Sequence, residues 1–151
     1  MIRKATLKDV KPIHRLIAEQ AGSGHILARA MSELYGQIRD FTVAQDDRTG
    51  EVIGCGALQI VWEDLAEIRS LAVQTAHQRA GLGSKLIESL MQEARNMGVK
   101  QVFVLTYRQK LFERFGFNVM NKNLLPHKIW ADCIRCTKFP ECDEIALVGT
   151  P

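Results

Sequence analysis

The chain has 151 residues, 46% of them apolar and 25% charged. Those figures describe one ordinary globular domain, residues 1–151, able to bury a core without staples, and exclude collagen-like, disordered, coiled-coil and disulfide-scaffold classes. Twenty Lys and Arg against seventeen Asp and Glu leave a net charge of +3, too small an excess to imply a nucleic-acid partner.

Residues 2–5 read as a short first strand. The N-terminus has no apolar run long enough for a signal peptide, and no stretch approaches the ~18 apolar residues of a membrane span. The expectation is a cytoplasmic protein without a membrane partner. Thr6 and Asp9 both offer a helix cap; Pro12, which lacks an N–H, must lie in the first turn and so favours Asp9. Ile13, Leu16 and Ile17 form the apolar stripe of the first helix, which Gly22-Ser23-Gly24 ends. A second helix covers residues 29–38, with Met31, Leu34 and Ile38 on one face.

Phe41–Gln45 and Val52–Trp62 read as a hairpin around the turn cluster 46–50. Gly54 and Gly56 interrupt its second strand, where glycine marks a bulge or a close backbone approach. Residues 67–73 form the next strand. The segment Gln78-Arg79-Ala80-Gly81-Leu82-Gly83-Ser84 follows, and then a long helix to Met97. Leu82, Leu86, Ile87, Leu90, Met91 and Ala94 recur there at helical spacing, and Gly98 stands at the C-cap position. Gln101–Thr106 is an apolar strand, 111–115 a short helix stopped by Gly116, and 117–120 and 144–148 the last strands. The order βααβββαβαββ predicts an α+β chain with a mixed sheet, not a doubly wound fold.

The loop 78–84 lies between a strand and a strong helix. Its glycines permit a tight turn and close backbone approach. The helix start supplies amides without intrahelical partners, which suits phosphate. A P-loop would need Gly-x4-Gly-Lys-Ser/Thr, and a dinucleotide fingerprint a third glycine where Leu86 stands; neither is present. Gln78-Arg79-Ala80-Gly81-Leu82-Gly83 instead resembles the Gln/Arg-x-x-Gly-x-Gly/Ala signature of GNAT N-acetyltransferases, and the element order is similar to theirs over essentially the whole chain. The resemblance implies the GNAT (acyl-CoA N-acyltransferase) fold, a mixed, mostly antiparallel central sheet flanked by helices. It also implies acetyl-CoA as acetyl donor. Its pyrophosphate would lie on Gln78, Arg79, Ala80, Gly81, Leu82, Gly83 and Ser84. Its pantetheine arm would lie between two splayed strands, against Leu71, Ala72, Val73 and Thr106.

A narrower resemblance rests on residues 67–73, Leu105-Thr106-Tyr107, Phe112-Glu113-Arg114-Phe115-Gly116-Phe117 and Leu125-Pro126-His127-Lys128. These look like the acetyltransferase domain of the N-acetylglutamate synthase family, and the ending Cys133-Ile134-Arg135-Cys136…Cys142 resembles its short, single-domain bacterial form. The resemblance implies acetyl transfer to the α-amine of L-glutamate, the first step of arginine biosynthesis. Longer members resemble an amino-acid-kinase domain fused to this one, so the short form is expected to respond to arginine differently.

Acyl transfer needs a base for the ammonium, a polarised thioester carbonyl and a route for protons. Glu67 is the candidate base, directly or through a water; taken alone it reads equally as an exposed strand carboxylate in a surface pair. An N–H in the Ser70–Ala72 stretch, freed by a bulge, could polarise the carbonyl, and Ser70 and Thr106 could contact substrate or donor. Many GNAT enzymes place a general-acid Tyr where this chain has Phe112, which cannot donate. By the resemblance Arg29 clamps a substrate carboxylate; alone it reads as a solvated cation. Lys128, and less so Arg135, are candidates for the second carboxylate. Cys133, Cys136 and Cys142 are either three ligands of a structural zinc, completed by His127 or Asp143, or reduced thiols of a compact loop. A homodimer through an edge strand is a further expectation. Two alternatives remain: a GNAT enzyme for another small amine or amino acid, and a non-catalytic acyl-CoA sensor.

Overall fold

The long helix fixes the architecture. The computed structural model describes residues 1–22, 29–78, 80–125 and 144–151. Within it α3 spans Leu82–Met97 and buries Leu86, Ile87, Leu90, Met91 and Ala94, the predicted stripe. Gly98 closes it in the left-handed region at φ 83°. The helix lies on a seven-stranded sheet of order β1-β2-β3-β4-β5-β7-β6. Its strands are β1 Ile2–Lys4, β2 Phe41–Gln45, β3 Val52–Trp62, β4 Leu65–Val73, β5 Gln101–Thr106, β6 Asn118–Met120 and β7 Ile145–Gly149. The β4–β5 pair is parallel and its neighbours are antiparallel, which is the mixed sheet expected. Helices α1 Val10–Gly22 and α2 Met31–Gln37 cover the opposite face, where Ile13, Ile17 and Leu34 pack against Val43, Cys55 and Ala57. Short helix α4, Gln109–Glu113, follows β5.

Several boundaries differ from the sequence reading for local reasons. Thr6, not Asp9, opens the N-terminal helical segment, through a 3-10 turn Leu7–Asp9 ahead of α1. Asp9 turns back instead: its carboxylate accepts the Thr6 N–H at 2.7 Å and a bidentate fork from Arg3 at 2.7 and 3.0 Å. Burial would push the Asp9 carboxyl up, but these bonds outweigh it and hold it below the usual range. Pro12 keeps its place in the first turn of α1. Helix α2 begins at Met31 because Ala30 is extended, at φ −70° and ψ 147°. Strand β4 starts two residues early, at Leu65, and α4 two residues early, at Gln109.

The close approach expected at the glycines of β3 is present, and the bulge lies on the strand opposite them. A Cβ on Gly56 would stand 3.0 Å from Leu90 Cδ1 and one on Gly54 3.2 Å from Leu86 Cδ1, so α3 rides close on the sheet there. Opposite Gly56 the register slips from Cys55↔Ala72 to Ala57↔Arg69, placing an extra residue in β4. Ser70 sits in that bulge at φ 55°. The bulge reverses the alternation of β4. Ala66 and Ile68 face α3 before it, and Leu71 and Val73 face α3 after it. Among the described residues, no helix is long and apolar enough to cross a membrane.

Candidate active site

Strands β4 and β5 pair only at Leu65↔Gln101, Ala66↔Val102 and Glu67↔Phe103. Beyond that point β4 runs on to Val73 and β5 to Thr106, and the two part. The expected splayed pair is present, and it opens a notch whose facing backbone edges are unpaired with one another. An extended ligand laid there meets N–H and C=O groups already aligned.

The notch leads into a cleft of about 660 Å³. One wall is Val73, Gln78 and the start of α3, with Gly81, Leu82, Gly83 and Ser84. Gly81 is left-handed at φ 77° and caps α3 without a side chain. The first helical bond runs from the Lys85 N–H to the Gly81 carbonyl, 3.1 Å, which leaves the amides of Leu82, Gly83 and Ser84 without intrahelical acceptors. Gly83 has an ordinary φ, and an added Cβ there would meet nothing within 4 Å. Neither backbone nor packing demands glycine at Gly83; a side chain would project into open space, where a ligand can instead approach the amides. Gln78 ties the loop to β4 by donating from Nε2 to the Val73 carbonyl at 3.1 Å. Ala80 is exposed. Arg79 lies outside the described residues.

The facing wall was not anticipated. Arg108, Lys110 and Arg114 line it beside Tyr107, with Glu113 among them. Thr106 ends β5, 9% exposed, and its Oγ1 accepts the Arg108 N–H at 2.9 Å, which turns the chain into α4. A cationic wall opposite bare helix-start amides suits an anionic, phosphate-bearing ligand. The sequence signal was available, three basic residues within seven after a central strand, but their common direction depends on the turn. Phe112 lies beneath that wall, 1% exposed, its ring edge-on to Phe117 with centroids 5.3 Å apart. It is a core residue, consistent with its having no proton-donating part.

The bulge sits between the notch and a polar strip on the α1/α2 face of the sheet. Cys55, fully buried, donates from Sγ to the Ser70 carbonyl at 3.5 Å. Burial pushes this thiol up to about 12, so it stays a neutral donor at physiological pH. Glu67 is no surface carboxylate. It is buried at 8% exposure, at the last paired position before the strands part. Arg69 Nη1 lies 4.0 Å from Glu67 Oε1 and donates to Gln59 Oε1 on β3. Arg29, just ahead of α2, is also largely buried: its side chain is 7% exposed and stands 3.8 Å from Glu33. That excludes the solvated-cation alternative. Lys128, Cys133, Cys136 and Cys142, with His127, Arg135 and Asp143, fall outside the described residues, and so does the zinc expectation built on them.

Residues 13–117 match the Acetyltransferase (GNAT) family. An uncharacterized N-acetyltransferase of Chlorobaculum tepidum is 42% identical over 149 residues, covering 99% of this chain and 95% of the relative. An amino-acid acetyltransferase of Mycobacterium tuberculosis is 39% identical over 118 residues, 78% of this chain and 67% of that one. Among solved structures, the N-acetylglutamate synthase of Neisseria gonorrhoeae complexed with coenzyme A and N-acetyl-glutamate superposes with a TM-score of 0.88 at 28% identity. That match covers 99% of this chain and 34% of the synthase.

Proposed function

The chain belongs to the GNAT acetyltransferase family, and we propose that it transfers the acetyl group of acetyl-CoA to the α-amine of L-glutamate. The donor half rests on the cleft: bare amides at the start of α3, a glycine that leaves room before them, and a cationic facing wall. The acceptor half rests on the polar strip. Glu67 and Arg69 lie just before the bulge, and Arg29 lies on the same side of the sheet. The likeness to an amino-acid acetyltransferase at 39% identity and to a synthase holding N-acetyl-glutamate supports amino-acid acceptors in general and glutamate in particular.

The chemistry follows from these positions. Glutamate binds with a carboxylate on the Arg29 guanidinium, and Glu67 removes a proton from its ammonium, directly or through a water. The amine nitrogen attacks the thioester carbon. An N–H of the Ser70–Ala72 stretch meets the developing oxyanion. The C–S bond breaks as the amide forms. The departing thiolate takes its proton from solvent or from the attacking amine, since Phe112 is a buried ring.

One experiment carries the acceptor claim: thiol release from acetyl-CoA across glutamate, aspartate, ornithine and simple amines. Glutamate is expected to lead. A preference for another acceptor with glutamate inert keeps the acetyltransferase and removes the substrate, and donor binding without turnover on any acceptor favours a sensor. In the same assay Arg29→Ala is expected to raise the KM for glutamate about 10- to 100-fold, the loss of one charge-assisted pair. The KM for acetyl-CoA stays within about twofold, because Arg29 is outside the donor cleft. A rise in both, or in neither, removes Arg29 from the acceptor site.

A further inference from the structure

Beside Glu67, on the same face of β4, stands a buried arginine, Arg69. Residues two apart on a strand share a face, so Glu67 and Arg69 project together toward the α1/α2 side. Gln59, paired with Glu67 across the ladder, projects there too and accepts a hydrogen bond from Arg69. The guanidinium is therefore tethered from a different strand, with Nη1 4.0 Å from the Glu67 carboxylate. Both side chains are nearly closed to water, 9% and 10% exposed. A carboxyl taken out of water is driven toward its neutral form, and a neutral carboxyl cannot accept a proton. A neighbouring cation reverses that drift, and in a site this dry it does so with little screening.

Among the described residues, the cation beside Glu67 is Arg69. Among the described residues, β3 presents Gln59 and Val61 on this face, and β5 presents Phe103 and Leu105. Helix α1 brings Ile13, Leu16, Ile17 and the buried Gln20, and α2 brings Met31 and Leu34. A second charged pair on this side, among the described residues, is Arg29 with Glu33, at the entry to and first turn of α2.

We infer that Arg69 is a positioning residue for the transfer: tethered by Gln59, it keeps the Glu67 carboxylate ionised and aimed for proton removal. The inference rests on the reading of Glu67 as base and deepens it. It gives Arg69 a role on the base, since Nη1 is held between Gln59 and Glu67.

The test separates the two claims. The carboxyl of Glu67 is titrated by carbon-13 NMR in the intact protein labelled at the glutamate side-chain carboxyl, its signal identified by its loss in Glu67→Gln. Arg69→Met is expected to move the midpoint up by about one to three pH units, the size of effect an adjacent cation produces, and Arg69→Lys to stay near the wild type. The acid limb of kcat, measured with both substrates saturating, is expected to move up in parallel. An unchanged midpoint in Arg69→Met overturns the inference whatever the kinetics show. A shifted midpoint with an unmoved acid limb retains the electrostatic role and overturns Glu67 as the base. If Arg69→Met loses its native circular dichroism, Gln59→Met, which keeps the cation and removes its tether, replaces it. An upward shift of the midpoint there supports the inference, and none overturns it.

Discussion

Glu67→Gln is expected to lower kcat about 100- to 10,000-fold, the usual contribution of a positioned base, while leaving the KM for acetyl-CoA close to that of the wild type. The substitution is nearly isosteric. It removes the negative charge from a site 8% exposed but keeps the shape that packs beside Arg69 and Gln59. A loss confined to kcat matches a group that acts on the acceptor's proton and takes no part in holding the donor, whose cleft lies at the far end of β4. The measurement is steady-state thiol release at saturating donor, with circular dichroism to verify the fold. A drop of less than about threefold would reduce Glu67 to an ion-pair partner of Arg69. Raising the pH then gives an independent check. A variant without a base depends on free amine already present in solution, so its activity rises steeply toward the ammonium pKa of the acceptor.

Phe112→Ala is expected to cost about 3–5 kcal/mol of stability, a large part of the ~5–15 kcal/mol typical of a folded chain. The ring is 1% exposed. It joins α4 to the sheet through Phe117 and shares the core cluster of Leu90, Val104 and Leu147. The space around this pair is full: a Cβ on Gly149 of β7 would meet Phe117 Cδ1 at 2.8 Å. Collapse into the vacated volume is therefore restricted, which puts the cost toward the upper end. Thermal unfolding reads it as a fall of about 6–20 °C for a chain this long. Phe112→Tyr is the informative companion. It adds a phenolic hydroxyl, but in a site closed to the cleft. It is expected to destabilise by about 1–3 kcal/mol without raising kcat. A faster enzyme would show that the ring reaches the leaving thiolate after all.

The parts legible in the sequence share a property: each is set by near neighbours in the chain. The stripe of α3 is a period, the cap at Gly98 a residue type, and the close approach at Gly54 and Gly56 a missing side chain. The glycines pointed to a bulge or a close approach, and the structure has α3 close on Gly54 and Gly56 with Ser70 in the left-handed region opposite. The acceptor strip was half legible. Glu67 could be singled out from its place on the central strand, but its burial depends on α1 and α2 lying over that face. Arg69 shares its parity, yet Gln59 enters only through the register of β3 against β4, which no local pattern specifies. Arg108, Lys110 and Arg114 were missed for a related reason. As sequence they are ordinary surface cations, and the Thr106 Oγ1 bond that turns the chain after β5 brings them to one wall. The same dependence explains the cap: Asp9 is a good cap by type, but Arg3, on the strand beside it, captures its carboxylate.

The parting of β4 from β5 reaches beyond the transfer step. A sheet with an open seam lacks part of its ladder beyond Glu67↔Phe103. A donor bound in the seam, as proposed, would add its binding energy to the folding energy of the protein. Mass action sets the gain at about 2.7 kcal/mol when the donor stands at a hundred times its dissociation constant. The protein's thermal stability is then expected to rise with donor concentration, read as a melting temperature that climbs as acetyl-CoA is added.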